Sequence, residues 1–175
     1  MPTTRSREDI LVCALGSEPR RPAAFRTLLS CGAEAVPAIR RGLRHADPLV
    51  RENCCKLLDH LLAEEAVDDL VAMLDDPDAR VRVAAVHAVS CERCKTDACR
   101  PSRSVVLPRG IRLLRQDPHA KVRAMAAELV GLWMHTHPDA AAALAEARDH
   151  DPSPSVRKKA GWYTPGGSIH RRTKP

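Results

Sequence analysis

The sequence predicts an all-α fold, an α-solenoid of about four to five antiparallel helix pairs. A Val-Arg pair returns four times, each time after an Asp-Pro, beginning at residues 50, 81, 122 and 156. The steps between pairs are 31, 41 and 34 residues, a period typical of stacked repeats. Apolar residues follow each pair at helical spacing, and no stretch alternates with period two long enough to predict a sheet. This pattern indicates an architecture but not an activity, because repeat proteins serve many unrelated tasks.

The segment after each Val-Arg predicts the second helix of a repeat. In the first copy, Val50 is followed by Cys54, Leu57, Leu58 and Leu61, which places the apolar side chains on one helical stripe. The preceding Asp-Pro is expected to start this helix, since Asp can cap free N–H groups and Pro suits a first turn.

A second apolar stretch before each Asp-Pro predicts the first helix. These stretches span residues 35–43, 66–74, 106–114 and 139–147. Pro37 and Pro108 are expected in the first turn of their helices, where the ring is tolerated. Each repeat is therefore a helix, a short turn and a helix, and neighbouring pairs must stack to bury their apolar faces.

Two motifs connect these repeats with a known family. They are Ala35-Val36-Pro37-Ala38-Ile39, and Asp-Pro-x-x-x-Val-Arg-x-x-Ala at 76–85 and 117–126. They resemble HEAT repeats, in particular the short bacterial PBS-lyase-like type, over about residues 33–160. The resemblance implies an armadillo-like superhelix in which the motif arginines meet Asp residues of neighbouring turns and form a ladder. The ladder would comprise Arg51, Arg82, Arg123 and Arg157; the alternative is an exposed basic stripe that binds an acidic ligand.

We expect one repeat domain over residues 1–163. Residues 8–32 look helical but carry no Val-Arg, which is typical of a degenerate capping repeat. The longest step between repeats predicts a Cys-containing insertion loop at 91–103. Pro165-Gly166-Gly167 breaks any helix, so residues 164–175 are expected to form a basic, flexible tail.

The positive charge is concentrated at the C-terminal end. The formal net charge is +6, and six basic residues with no acidic residue lie from Arg157 onward. Aromatic residues beside cations can stack on bases while the cations meet phosphates. The residues predicted to contact nucleic acid are Lys158, Lys159, Trp162, Tyr163, Arg171 and Arg172. Alternatively, the two aromatic side chains close the open end of the solenoid.

The cysteines fall into two groups. Cys54 aligns with small core residues of other repeats, and Cys13 and Cys31 are interpreted in the same way. Cys91, Cys94 and Cys99 lie in the insertion with Cys-x2-Cys spacing, and His87 precedes Cys91 by four residues. These four residues predict one structural zinc ion, with His119 or the weaker Asp97 as a substitute ligand. Free thiols or a redox-active disulfide are the alternatives.

Three enzymatic functions that the resemblance suggests lack their residues in this sequence. No His-Glu pair is present for a deoxyhypusine hydroxylase, no constellation for handling a bilin is identifiable, and the charge-neutral body, residues 1–156, does not favour a DNA glycosylase. We therefore expect a non-catalytic scaffold or adaptor that binds a protein or peptide. The alternatives are nucleic-acid binding through the tail and a zinc- or thiol-dependent regulatory module. No apolar run approaches about 18 residues, so we expect no membrane-spanning helix. We also expect the protein to be cytoplasmic and monomeric.

Overall fold

The computed structural model describes residues 6–91 and 101–173. The chain divides into two compact units, Met1–Pro101 and Ser102–Pro175. The division falls in the predicted insertion, where the sequence had suggested one continuous repeat domain. All regular secondary structure in the described residues is helical, so the predicted all-α class is confirmed.

The first unit contains three helix pairs in two layers. The second helices of the pairs, α2, α4 and α6, pack side by side, and the first helices α1 and α3 do the same. Short 3-10 turns precede α3 and α5 and follow α5. The helices are α1 (Arg7–Ala14), α2 (Arg21–Cys31), α3 (Val36–Gly42), α4 (Pro48–Leu61), α5 (Val67–Ala72) and α6 (Ala79–Ser90).

The second unit contains two helix pairs and a short terminal helix. The first helices α7 and α9 pack together, as do the second helices α8 and α10. The core of both units is built mainly from Ala, Leu and Val. Small side chains let the helices approach closely, as helix-on-helix layers require. The helices are α7 (Arg103–Gln116), α8 (Ala120–Gly131), α9 (Pro138–His150), α10 (Pro154–Trp162) and α11 (Ser168–Arg172).

The capping repeat expected at 8–32 corresponds to the pair α1 and α2. Helix α1 begins with a capping box, in which the Ser6 hydroxyl accepts from the Asp9 backbone N–H at 3.1 Å. The Asp9 carboxylate in turn accepts from the Ser6 backbone N–H. This reciprocal pair satisfies donors that the helix start leaves without intrahelical partners.

The Asp-Pro turns differ from the prediction in three of the four repeats. Asp76, Asp117 and Asp151 are not the N-caps of the following helices; they precede those N-caps by two residues. Each carboxylate accepts the backbone N–H of that N-cap residue, at 2.8 to 2.9 Å. The Asp therefore orders the turn that precedes the helix.

The first Asp-Pro is shifted by two residues from the others. Asp47 is the N-cap of α4 and accepts from the Leu49 N–H at 2.8 Å, with Pro48 in the first turn. His45 occupies the place that Asp76 has in the next repeat, and its Nδ1 accepts the Asp47 N–H at 3.0 Å. An imidazole nitrogen thus closes this turn in place of a carboxylate.

Pro108 lies inside α7, not in its first turn as expected. Helix α7 begins at Arg103, several residues before the apolar stretch from which its start was inferred. The Pro ring has no N–H to offer the carbonyl of Ser104, which lies on an exposed part of the helix. Pro37 does fall in the first turn of α3.

Residues 164–173 differ from the flexible tail that the sequence suggested. Thr164 is buried, and the segment continues into α11. The Thr173 hydroxyl lies 3.2 Å from His135 Nε2, and the rings of His135 and His170 are 4.4 Å apart. The segment therefore folds back onto the connection between α8 and α9.

Within the part of the chain that the structure describes, no helix combines the length and the hydropathy that crossing a membrane would require.

Candidate binding groove and neighbouring side-chain clusters

Arg51 joins two successive turns in the first unit. Its Nε and Nη2 donate to the two carboxylate oxygens of Asp76 at 2.8 and 2.9 Å. Its Nη1 donates to the carbonyls of His45 and Ala46, in the turn before its own helix. One guanidinium therefore binds the next turn with its fork and the preceding turn with its remaining nitrogen.

Arg123 repeats this arrangement in the second unit. It binds Asp151 in the same bidentate way, at 2.7 and 3.0 Å, and donates to the carbonyl of Asp117 at 2.8 Å. The side chains of Arg123 and Asp151 are only 11% and 5% exposed. Removing one partner of an ion pair this buried is more costly than removing one partner of a surface pair, because the remaining charge stays buried without its counterion.

The other two motif arginines make the same contact with their own turns. Arg82 Nη1 donates to the carbonyls of Asp76 and Pro77, and Arg157 Nη1 donates to those of Asp151 and Pro152. The four motif arginines are thus engaged in the framework of the repeats. This geometry favours the ladder over the exposed basic stripe.

The ladder contacts change the acidity of their members. Hydrogen bonding to Asp76 and to Asp151 raises the pKa of Arg51 and of Arg123, respectively. Burial acts to raise the pKa of Asp151, but the hydrogen bonds from Arg123 and the Ser153 backbone outweigh it and hold this pKa below its ordinary value. Both partners therefore stay charged at neutral pH.

A concave groove lies between α7 and α9 in the second unit. Its larger cavity has a volume of about 510 Å³. The α7 residues that line it recur about once per helical turn, so one stripe of this helix faces the cavity. The lining residues are Arg103, Ser104, Leu107, Pro108, Ile111 and Arg115 from α7, with His137, Asp139 and Ala142 from the start of α9.

A smaller cavity of about 230 Å³ extends the groove toward the ladder. Arg115 lines both cavities, and its Nε binds Glu146 of α9 at 2.8 Å, so this exposed ion pair crosses the groove. The ladder residues Arg123 and Asp151 line the far end. The groove thus combines apolar floor residues with arginines on the α7 side and carboxylates on the α9 side.

Sequence reasoning did not identify this groove. The signal available was the stripe of Arg103, Leu107, Ile111 and Arg115 at four-residue spacing, which resembles an ordinary amphipathic helix face. How much of this stripe is exposed depends on the position of α9, which the sequence pattern does not specify.

Half of the six residues predicted to contact nucleic acid are engaged in packing. Lys159 pairs with Glu128 of α8 and also lies 4.9 Å from the centre of the Trp162 ring. The Tyr163 ring packs against Gly131 at the end of α8, so closely that a Cβ at that position would overlap it. Lys158, Arg171 and Arg172 are exposed.

The predicted zinc ligands are only partly within the described residues. His87 and Cys91 are brought together, because Cys91 follows the last turn of α6 and donates its backbone N–H to the His87 carbonyl at 3.0 Å. Cys94, Cys99 and the substitute Asp97 lie outside the described residues. His119, the other substitute, has Nδ1 3.7 Å from Asp117 in the second unit.

The remaining described cysteines are free thiols. Cys54 is fully buried, as its alignment indicated, and its neighbour Cys55 is buried too. Burial raises the pKa of Cys54 and raises that of Cys55 to about 12, so neither is a reactive thiolate at neutral pH. Cys13 and Cys31 are only half-buried, which corrects the core position expected for them.

Comparison with known protein families identifies the type of repeat in the first unit. Residues 14–90 match the family model of HEAT repeats. This segment consists of HEAT repeats. The repeat type predicted from the Val-Arg motif is therefore confirmed there, and no curated protein matches the sequence.

Solved structures extend the likeness to nearly the whole chain. A structure of the CpcE–CpcF complex of phycocyanin lyase from Nostoc sp. PCC7120 is 17% identical with a TM-score of 0.69, and the match covers 87% of this chain and 95% of that one. A designed armadillo repeat protein in complex with the peptide (KR)4 is 19% identical with a TM-score of 0.57, covering 90% and 80%. Computationally designed armadillo repeat proteins for modular peptide recognition are also similar, with 19% identity and a TM-score of 0.53, covering 88% and 79%. At these identities the likeness shows the HEAT/armadillo solenoid fold alone.

Proposed function

We propose that this protein is a non-catalytic scaffold that binds a protein or peptide segment in the groove between α7 and α9. The observation that carries the proposal is the 510 Å³ cavity, whose apolar floor is flanked by opposite charges on its two helices. Repeat proteins of this fold class typically bind partners along an extended surface made by successive repeats.

The lining residues indicate what kind of segment would fit. Ile111 is half-buried and Ala142 is exposed, so an inserted apolar side chain would remove further apolar surface from water. Arg103 and Arg115 on one side and Asp139 on the other can orient charged groups that flank this anchor. We therefore propose a ligand with one apolar anchor between an acidic and a basic flank.

The structural comparisons support this function in general terms. Among the similar structures, one is a complex of two proteins and another is a complex with a peptide. These complexes support a binding role for the repeat surface here. We propose that this binding takes place in the cytoplasm.

The test is selection of peptides from a random displayed library on the full-length protein, followed by fluorescence anisotropy with the selected peptides. Ile111→Glu places a charge in the apolar floor, and Arg115→Glu reverses the charge beside it. Each should weaken binding by at least about tenfold, the equivalent of about 1.4 kcal/mol.

A matched control is available in the first unit. Ile10 is 58% exposed on α1, so Ile10→Glu introduces the same chemical change outside the groove. Its affinity for the peptides should equal that of the wild-type protein. The proposal would be refuted by peptides that bind Ile111→Glu as tightly as wild type, or that lose affinity with Ile10→Glu instead.

A further inference from the structure

Three side chains from two adjacent repeats converge at one edge of the first unit. They are Asp59 near the end of α4, His87 in the last turn of α6, and Cys91 directly after it. One ligand atom of each, a carboxylate oxygen, an imidazole nitrogen and the thiol sulfur, lies within 4.8 Å of the others. Oxygen, nitrogen and sulfur donors in one cluster match the preferences of zinc and related divalent metals.

The buried position of Asp59 favours a cation beside its carboxylate. Asp59 is only 6% exposed, so its carboxylate is largely removed from water. It also lies in the last turn of α4, where the helix dipole disfavours negative charge. Nε2 of His87 lies 3.7 Å from Asp59 Oδ2, but an imidazole is cationic only when it is protonated. A bound divalent cation would compensate this carboxylate at all pH values where the ligands are deprotonated.

The spacing of the three donors is close to that of a tetrahedral site. Metal–ligand distances of about 2.0–2.3 Å place neighbouring ligands about 3.3–3.8 Å apart. The His87–Asp59 distance of 3.7 Å already falls in this range. The widest separation needs to close by only about 1 Å. The His87 side chain is 57% exposed and Cys91 is half-buried, so both can rotate, and a metal ion can reach them from solvent.

We propose that Asp59, His87 and Cys91 bind a divalent transition metal ion of the zinc type, with water as a fourth ligand. This set differs from the one the sequence suggested, because Asp59 comes from the preceding repeat. The ion therefore ties α4 to α6 as well as fixing the end of α6. On binding, the Cys91 thiol releases its proton to solvent and bonds to the metal as a thiolate.

The experiment is titration of the reduced full-length protein with Co²⁺, followed by displacement with Zn²⁺ against a chelator of known affinity. One equivalent of Co²⁺ should bind, with the charge-transfer absorption of a thiolate ligand. Asp59→Asn, His87→Gln and Cys91→Ser should each weaken Zn²⁺ binding by at least about tenfold. Cys91→Ser should also abolish the charge-transfer band.

His60→Gln is the matched control, because His60 is the exposed neighbour of Asp59 on α4 and should leave the affinity for Zn²⁺ unchanged. Circular dichroism of each metal-free variant checks that it folds. His87→Gln alters an exposed side chain and keeps the test valid if Asp59→Asn does not fold. Absence of Co²⁺ binding to the wild-type protein, which would leave a simple His–Asp ion pair, would overturn the proposal. Wild-type affinity in folded Asp59→Asn would do the same.

Discussion

At the scale of single residues, two of the ladder arginines each join two successive turns. Arg51 and Arg123 bind a carboxylate of the next turn and carbonyls of the turn before their own helix. The bidentate contact requires a guanidinium, because the single ammonium of Lys cannot match both carboxylate oxygens. This accounts for an Arg, and not a Lys, beside the core Val at positions 51 and 123.

Arg123→Ala should lower the free energy of unfolding by about 3 kcal/mol, because it leaves the Asp151 carboxylate buried without its cation. The bordering cavity gives the remaining carboxylate some access to water, which keeps the effect at the lower end of the usual range. Urea denaturation at pH 7 measures the change.

Arg80→Ala is the control for this substitution. Arg80 forms an exposed ion pair with Asp78, with the arginine side chain 57% exposed. Removing it should cost much less stability than removing Arg123, because solvent screens an exposed pair. Equal effects of the Arg80 and Arg123 substitutions would show that the ladder has no special role in stability.

The contribution of the Arg123–Asp151 pair should depend on pH in one direction. The pKa of Asp151 lies below its ordinary value in the folded protein, so the folded state favours the charged carboxylate. The stabilisation is therefore complete above the ordinary pKa and is lost as the pH falls through the lower folded-state value. The difference in stability between wild type and Arg123→Ala should shrink in acid. A difference that grows as the pH falls below about 4 would contradict this assignment.

The sequence predicted the kinds of partner at the ladder but not every residue. The repeated Asp and Arg indicated their pairing through a family resemblance. The replacement of Asp by His45 in the first turn was hidden, because a nearby Asp-Pro two residues later imitates the motif. Asp59 was also missed, since its approach to His87 joins residues 28 positions apart on different helices.

At the scale of helices, the end of α8 is shaped by a contact with the residue that follows α10. Gly131 is buried, and the Tyr163 ring occupies the space where a Cβ would lie. This contact corresponds to the closing role suggested for Tyr163 as the alternative to base stacking. It requires Gly for its lack of a side chain and not for an unusual backbone angle.

Gly131→Ala should destabilise the protein by about 1–3 kcal/mol through overpacking, despite the better helix propensity of Ala. Thermal or urea denaturation of the single and double variants measures this. In a Tyr163→Ala background the same substitution should cost little, because the ring is gone. Additive effects in the double variant would show that the two residues do not interact.

The helices were predictable in type but less so in their ends. Apolar spacing located both helices of each repeat, since periodicity reports the buried face directly. Helix starts were less well predicted because the Asp-Pro closes the turn before the N-cap in three repeats. The start of α7 was also predicted too late, because Pro108 was assigned to the first turn of the helix. In the structure α7 begins at Arg103 and contains Pro108 in its interior.

At the scale of the whole molecule, the charge distribution and the folded C-terminal segment leave few exposed cations that could bind nucleic acid. Residues 1–156 are charge-neutral, and the excess positive charge follows. Of the predicted contacts, the exposed cations are Lys158, Arg171 and Arg172. Three cations can neutralise about three phosphates, which supports weak, non-specific attraction.

The affinity for duplex DNA should therefore depend only modestly on salt, with a slope of log affinity against log salt no steeper than about −3. Replacing Lys158, Arg171 and Arg172 together by Ala should remove most of this dependence. Anisotropy with a labelled duplex over a range of salt concentrations measures both quantities. A much steeper slope would indicate a larger nucleic-acid surface than these three residues provide.

The repeat fold could be predicted from the sequence, but the groove between α7 and α9 could not. The repeat period predicted the solenoid fold, and the long step between the second and third Val-Arg pairs marked the place where the two units divide. The groove between α7 and α9 arises from the relative placement of two helices and from side chains that remain partly exposed. Neither property is specified by the spacing of apolar residues.

The central claim is that this groove binds a protein or peptide, and site-specific photocrosslinking tests it most directly. A photoreactive amino acid is placed at Ile111 in one full-length protein and at Ile10 in another, and each is irradiated in native lysate treated with nuclease. The account predicts a discrete crosslinked protein from position 111 that excess selected peptide competes away, and none from position 10. Crosslinks from position 10 alone, or products at 111 that disappear with nuclease, would contradict it.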